Sequence, residues 1–106
     1  MRTCVKSAQV ITAALAFVAS AAAWAHYPTL DCQRGSEAVE CRAGYSDGAS
    51  ASGEAVKLFS YDDELLHSLK ADADSRVRFP LTEGEFYISF DPGHDQPAEV
   101  DYIELD

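Results

Sequence analysis

Phe86, Ile88 and Phe90 are large apolar residues separated by single positions, with Tyr87 and Ser89 between them. Side chains of a strand alternate between two faces, so apolar residues two apart line one side of a sheet. After residue 25 helical spacing is scarce, and Gly, Pro, Asp and Ser clusters recur roughly every eight to twelve positions. A chain patterned this way is confined to short antiparallel strands joined by turns.

The other strands follow from the same reasoning. Residues 29–33 form a short run, and Arg34-Gly35-Ser36 turns the chain. Residues 38–45 place Val39, Cys41, Ala43 and Tyr45 on one face. Residues 46–53 are small, polar and glycine-rich, with nothing that demands burial. Residues 55–61 alternate, and Asp62-Asp63-Glu64 breaks them. Residues 65–70 fit one helical turn or a strand. The segment is too short for a helix by itself, so pairing back on 55–61 is favoured. Val77 and Phe79 alternate with Arg76 and Arg78 up to Pro80, and a terminal strand is expected over 100–105. About seven short strands of this kind read as an all-β fold, an antiparallel β-sandwich.

The first 25 residues are of a different kind. Arg2 and Lys6 precede an apolar, alanine-rich core, and Ala23-Trp24-Ala25 supplies an A-x-A cleavage pattern. This is the layout of a helical export signal, here of bacterial type, and the stretch is short and weakly apolar for a membrane span. Residues 1–25 are therefore expected to be a signal peptide, removed to leave one domain, 26–106, in the periplasm. No membrane insertion is expected after cleavage. Removing 25 of 106 residues leaves 81, close to the smallest size that a hydrophobic core supports unaided.

Cleavage removes two basic residues and no acid, which takes the formal charge from −10 to −12. Nucleic acid and anionic lipid repel such a body, whereas cations and basic protein surfaces attract it. Cleavage also removes Cys4 and leaves Cys32 and Cys41. An even count in an oxidising compartment reads as a disulfide, placed across the hairpin of the first two strands. A thiolate metal site would want closer spacing and more ligands nearby.

No nucleophile–base set or phosphate-binding glycine loop stands at motif spacing, so an enzyme is not expected. The histidines suggest other chemistry. A mature His26 carries an α-amine and an imidazole on one residue, and together these can chelate a metal such as Cu(II) through two nitrogens. The α-amine titrates near neutrality, so it deprotonates at little cost. His94, between Asp91 and Asp95 in a Pro-Gly-His-Asp loop, is the natural further ligand. The plainer alternatives are a mobile N-terminal tail and a histidine that caps its own turn. His67 lies among leucines and reads as a half-buried structural residue.

Several phrases resemble a family of small exported transthyretin-like domains. They are Cys41-Arg42-Ala43-Gly44-Tyr45-Ser46-Asp47-Gly48, Gly53-Glu54-Ala55-Val56-Lys57-Leu58-Phe59-Ser60, Arg76-Val77-Arg78-Phe79-Pro80, and Phe86-Tyr87-Ile88-Ser89-Phe90-Asp91-Pro92-Gly93-His94. The family includes periplasmic components that accompany cobalt and nickel uptake systems, and related bacterial domains of unknown function. The resemblance implies an immunoglobulin-like sandwich and an accessory role. The protein would bind or hand on a transition metal (Cu, Ni or Co) beside an inner-membrane transporter. The rival reading is a metal-free interaction module that docks on another periplasmic protein through an exposed edge strand.

Protein recovered from a periplasmic extract is expected to begin at His26 and to lack free thiols. N-terminal sequencing and thiol labelling check both points. An intact Met1 would exclude export by cleavage, and two reactive thiols would exclude the disulfide.

Overall fold

A computed structural model describes residues 26–93 and 96–105. Residues 1–25, where a signal peptide is expected, and His94, Asp95 and Asp106 lie outside the described residues. Seven strands follow in order: β1 Pro28–Arg34, β2 Ala38–Tyr45, β3 Ala55–Ser60, β4 Leu65–Lys70, β5 Arg76–Pro80, β6 Phe86–Phe90 and β7 Ala98–Asp101. They form two antiparallel sheets, one ordered β1-β2-β5 and the other β4-β3-β6-β7. Among the described residues no helix is long and apolar enough to cross a membrane.

One hydrophobic cluster draws on both sheets. Val39, Cys41, Val77 and Phe79 come from the three-stranded sheet, and Val56, Leu58, Phe86, Ile88 and Phe90 from the four-stranded one. Phe79, Ile88 and Phe90 retain no solvent exposure, and Phe86 only 1%. The stripe read at 86, 88 and 90 is therefore an inner face. Ser89 is also buried, so only Tyr87 of the intervening pair stays partly open.

The β1–β2 register pairs Cys32 with Cys41 and continues to Pro28 opposite Tyr45. The Gly35 N–H donates to the Ala38 carbonyl at 2.7 Å across the turn. Counting outward from that bond, antiparallel alternation makes Cys32–Cys41 a pair without mutual ladder bonds, where backbones approach most closely. Their Cα atoms stand 4.0 Å apart, and the two residues are joined by a disulfide. Closing so short a loop restricts the unfolded chain, a contribution of about 2–3 kcal/mol.

Residues 65–70 pair with β3 as a strand, with the register shifting between Leu58 and Phe59. Two expectations need correction. The loop 46–53 does bury a residue: Ala51 has no exposure, and its N–H donates to Ser75 Oγ at 3.0 Å. Ser75 holds a left-handed backbone (φ 64°) and is itself buried, and its carbonyl accepts the Ala43 N–H at 2.9 Å. The small residues of this loop thus permit close packing onto β2.

The terminal strand is shorter than expected, ending at Asp101 in a 3₁₀ helix over Tyr102–Glu104. Asp101 caps it by accepting the Ile103 N–H, while the Glu104 carboxylate accepts the Asp101 N–H at 2.8 Å. This reciprocal capping box is written in the sequence as Asp-x-x-Glu. Tyr102 then packs edge-to-face on Phe86 and carries the Arg34 guanidinium 4.6 Å above its ring. That contact ties the end of β1 to the four-stranded sheet.

Phe90→Ala is expected to cost about 3–5 kcal/mol, a large share of the stability of so small a domain. Chemical denaturation of the oxidised protein measures it. Wild-type stability in that variant would mean that Phe90 is not a core residue.

Candidate functional site

The first described residues are held by reciprocal backbone contacts. The Tyr27 N–H donates to Ser46 Oγ at 2.9 Å, and the Ser46 N–H donates to the Tyr27 carbonyl at 2.8 Å. These bonds extend the β1–β2 ladder by one residue and fix the chain beside the turn that leaves β2. His26 is therefore placed against named partners. Its ring meets Tyr45 edge-on, with centroids 5.5 Å apart and planes at 89°. Its Nδ1 lies 3.7 Å from Asp47 Oδ2, with the imidazole about half exposed. The other oxygen of Asp47 accepts the Ala49 N–H at 3.0 Å, which orients the carboxylate.

Tyr45 connects this corner to the four-stranded sheet. Its ring packs on Phe90 at 5.7 Å, and its hydroxyl donates to Glu54 Oε2 at 3.3 Å. The phenol titrates above its ordinary value of 10.0, first because of partial burial, then because of the Glu54 charge and hydrogen bond. Phe90 is the last residue of β6, and the chain turns directly after it. There the Gly93 N–H donates to Asp91 Oδ1 at 3.0 Å, with Gly93 at φ 100°, a conformation that side-chain-bearing residues rarely adopt. The rings of His26, Tyr45 and Phe90 thus run in series from the first described residue to the end of β6.

The structure gathers His26, Asp47, Tyr45 and Glu54 at one end of the two sheets. Among the described residues, no group of three or more His, Cys, Asp or Glu side chains is close enough to hold a metal. His94, the expected second histidine ligand, lies outside the described residues. His67 sits elsewhere: it pairs with Leu58, is half-buried, and its ring lies 6.3 Å from that of Phe79. Cys32 and Cys41 are consumed in the disulfide and offer no thiolate.

The partners of His26 were not singled out by spacing. The available signal was register. With Cys32 opposite Cys41, counting back along the hairpin sets Pro28 opposite Tyr45 and His26 beside the following turn. Comparison with protein-family models, with curated proteins and with solved structures gives no match.

The Tyr45 phenol is expected to ionise above pH 10 in the folded protein. A raised pKa means that the folded state holds the proton more tightly than the unfolded chain. Its stabilising contribution is therefore full below the unfolded value and is lost as pH rises through the folded one. Glu54→Gln removes the charge and its assistance to the hydrogen bond, and should bring the transition partway back towards 10. Ultraviolet difference titration of the two proteins reads the shift; an unchanged transition would detach Glu54 from Tyr45.

Proposed function

We propose that the mature protein is a periplasmic, transthyretin-like β-sandwich that binds or hands on a transition metal, as an accessory beside an inner-membrane transporter. One observation carries this reading. The rings of His26, Tyr45 and Phe90 stand in series, so His26 lies near the end of β6, from which the chain continues towards His94 in sequence. The disulfide agrees with an exported protein.

The chelating group is made by cleavage after Ala25. The α-amine and Nδ1 of His26 close a ring on one metal ion. Asp47 Oδ2, on the Nδ1 side, is an oxygen donor or acceptor beside it, and His94 supplies a third nitrogen. Imidazole and amine donors suit Cu(II), Ni(II) and Co(II), and geometry, not donor type alone, selects among them. A second reading keeps the sandwich and the compartment without a metal: a module that docks through β4. That strand is an edge of the four-stranded sheet, with Leu65 50% and Leu66 37% exposed.

Calorimetric titration with Cu(II), Ni(II) and Co(II) separates the readings. The mature protein is expected to bind one of these more tightly than about micromolar, roughly −8 kcal/mol. Acetylating the α-amine of His26 should abolish that binding with the fold intact, because the anchoring amine becomes an amide. His94→Ala should weaken it, and His67→Ala should leave it unchanged. Equal affinity in the mature and acetylated proteins would eliminate the N-terminal chelate. No binding in any form would favour the docking module.

A further inference from the structure

The outer face of the four-stranded sheet carries a patch that the metal reading leaves unused. Leu65, Phe59, Tyr87 and Asp101 are paired in one row across β4, β3, β6 and β7. Phe59 and Tyr87 alternate with the fully buried Leu58 and Ile88, so they face away from the core. Their rings stack at 5.3 Å with planes 19° apart. Tyr61 and Leu65 border the stack at 45% and 50% exposure.

Carboxylates border these rings towards the end of β3, while Lys57 stands on the same face towards its start. The Tyr87 hydroxyl donates to Asp63 Oδ1 at 2.7 Å, and the Tyr61 hydroxyl donates to Asp101. Asp63 occupies a left-handed backbone position (φ 64°), fixed by the turn in which its N–H donates to the Ser60 carbonyl. Asp63, Glu99, Asp101 and Glu104 line a shallow concavity with Tyr87. Glu85 acts electrostatically on Tyr61, whose phenol is pushed up to about 12, chiefly by its bond to Asp101. Among the described residues the close basic–acidic contacts are His26–Asp47 and Arg78–Glu40, and no described cation pairs with these five acids. The strand directions put this patch at the opposite end of the sheet from His26: β3 ends and β6 begins here.

We infer that this face docks a basic polypeptide segment of a partner protein, one whose Lys or Arg residues flank an apolar side chain. The apolar residue would cover the Phe59–Tyr87 stack and Leu65, while guanidinium or ammonium groups meet the bordering carboxylates. Cations are drawn to aromatic faces when carboxylates stand nearby. The chain already uses this contact internally, with Arg34 over Tyr102. A second copy is a poor occupant, because it would bring the same five acids against their own kind. Nucleic acid and anionic membranes fail on the same charge argument.

The test uses the mature, disulfide-bonded protein and a short end-blocked peptide alternating Arg and Leu, with a Glu-Leu peptide as control. Binding is followed by fluorescence anisotropy and by amide chemical shifts. The Arg-Leu peptide is expected to bind, to weaken as salt rises, and to shift amides around Phe59, Tyr61, Tyr87 and Glu99. Glu85→Lys and Glu99→Lys should each weaken it severalfold, and together more than tenfold; Asp74→Lys, on the β4–β5 turn at the other end of the sheet, should change it by less than twofold. Tyr87→Ser tests the apolar half of the contact, its fold being checked by the same spectra. Shifts confined to other surfaces, equal binding of the Glu-Leu peptide, or equal loss in Asp74→Lys would overturn the proposal, as would no binding. Self-association abolished by Glu99→Lys would assign the face to a second copy and also overturn it. None of these outcomes depends on whether His26 binds a metal.

Discussion

Phe79, Phe86 and Phe90 are the residues on which the rest of the structure depends. Phe79 belongs to the three-stranded sheet and the other two to the four-stranded sheet, yet all three lie in one cluster with almost no exposure. The strand ladders each stay within one sheet. The association of the two sheets therefore rests largely on burial of apolar area, at about 25 cal/mol per Å². The contact of Arg34 with Tyr102 and the bond from Ala51 to Ser75 are local additions at the margins of that core. Both candidate surfaces are positioned by it. Phe90 supports Tyr45 and hence His26, and Ile88 fixes the face on which neighbouring Tyr87 must emerge.

The alternation of strands was legible because a residue shifted by one place would turn every buried phenylalanine to water. Val77 and Phe79, and likewise Phe86, Ile88 and Phe90, admit one orientation only. The pairing of Cys32 with Cys41 was legible for a related reason, since the turn between them leaves a single register for the hairpin. The chain's end was harder. Val100, Ile103 and Leu105 look strand-like, but Asp101 and Glu104 satisfy each other's backbone and bend the segment into a 3₁₀ turn. Local hydrogen bonding outweighed pattern there. The burial of Ala51 was invisible in sequence because alanine demands little. What buries it is a serine hydroxyl 24 residues away.

The candidate site was only half legible. His26 stands out as the residue after an A-x-A pattern, and its chemistry follows from cleavage alone. Its neighbours Tyr45, Asp47 and Glu54 lie far along the chain and are assembled by tertiary contacts. The acidic patch was hidden differently. Asp62, Asp63 and Glu64 read as turn residues, and they are; what the turn also does is aim Asp63 at a tyrosine on β6. Turn chemistry explains why an acid stands at such a position, whereas the sheet decides what it meets.

The bonds between Tyr27 and Ser46 set an order of events. Paired backbone begins one residue after the bond that a signal peptidase would cut. Proteases cut chain that is exposed and locally unpaired. If the chain is cut after Ala25, the first rungs of β1 and the processing enzyme would compete for the same few residues. A chain that closed those rungs early would shield that bond, so cutting would be favoured before the hairpin is complete.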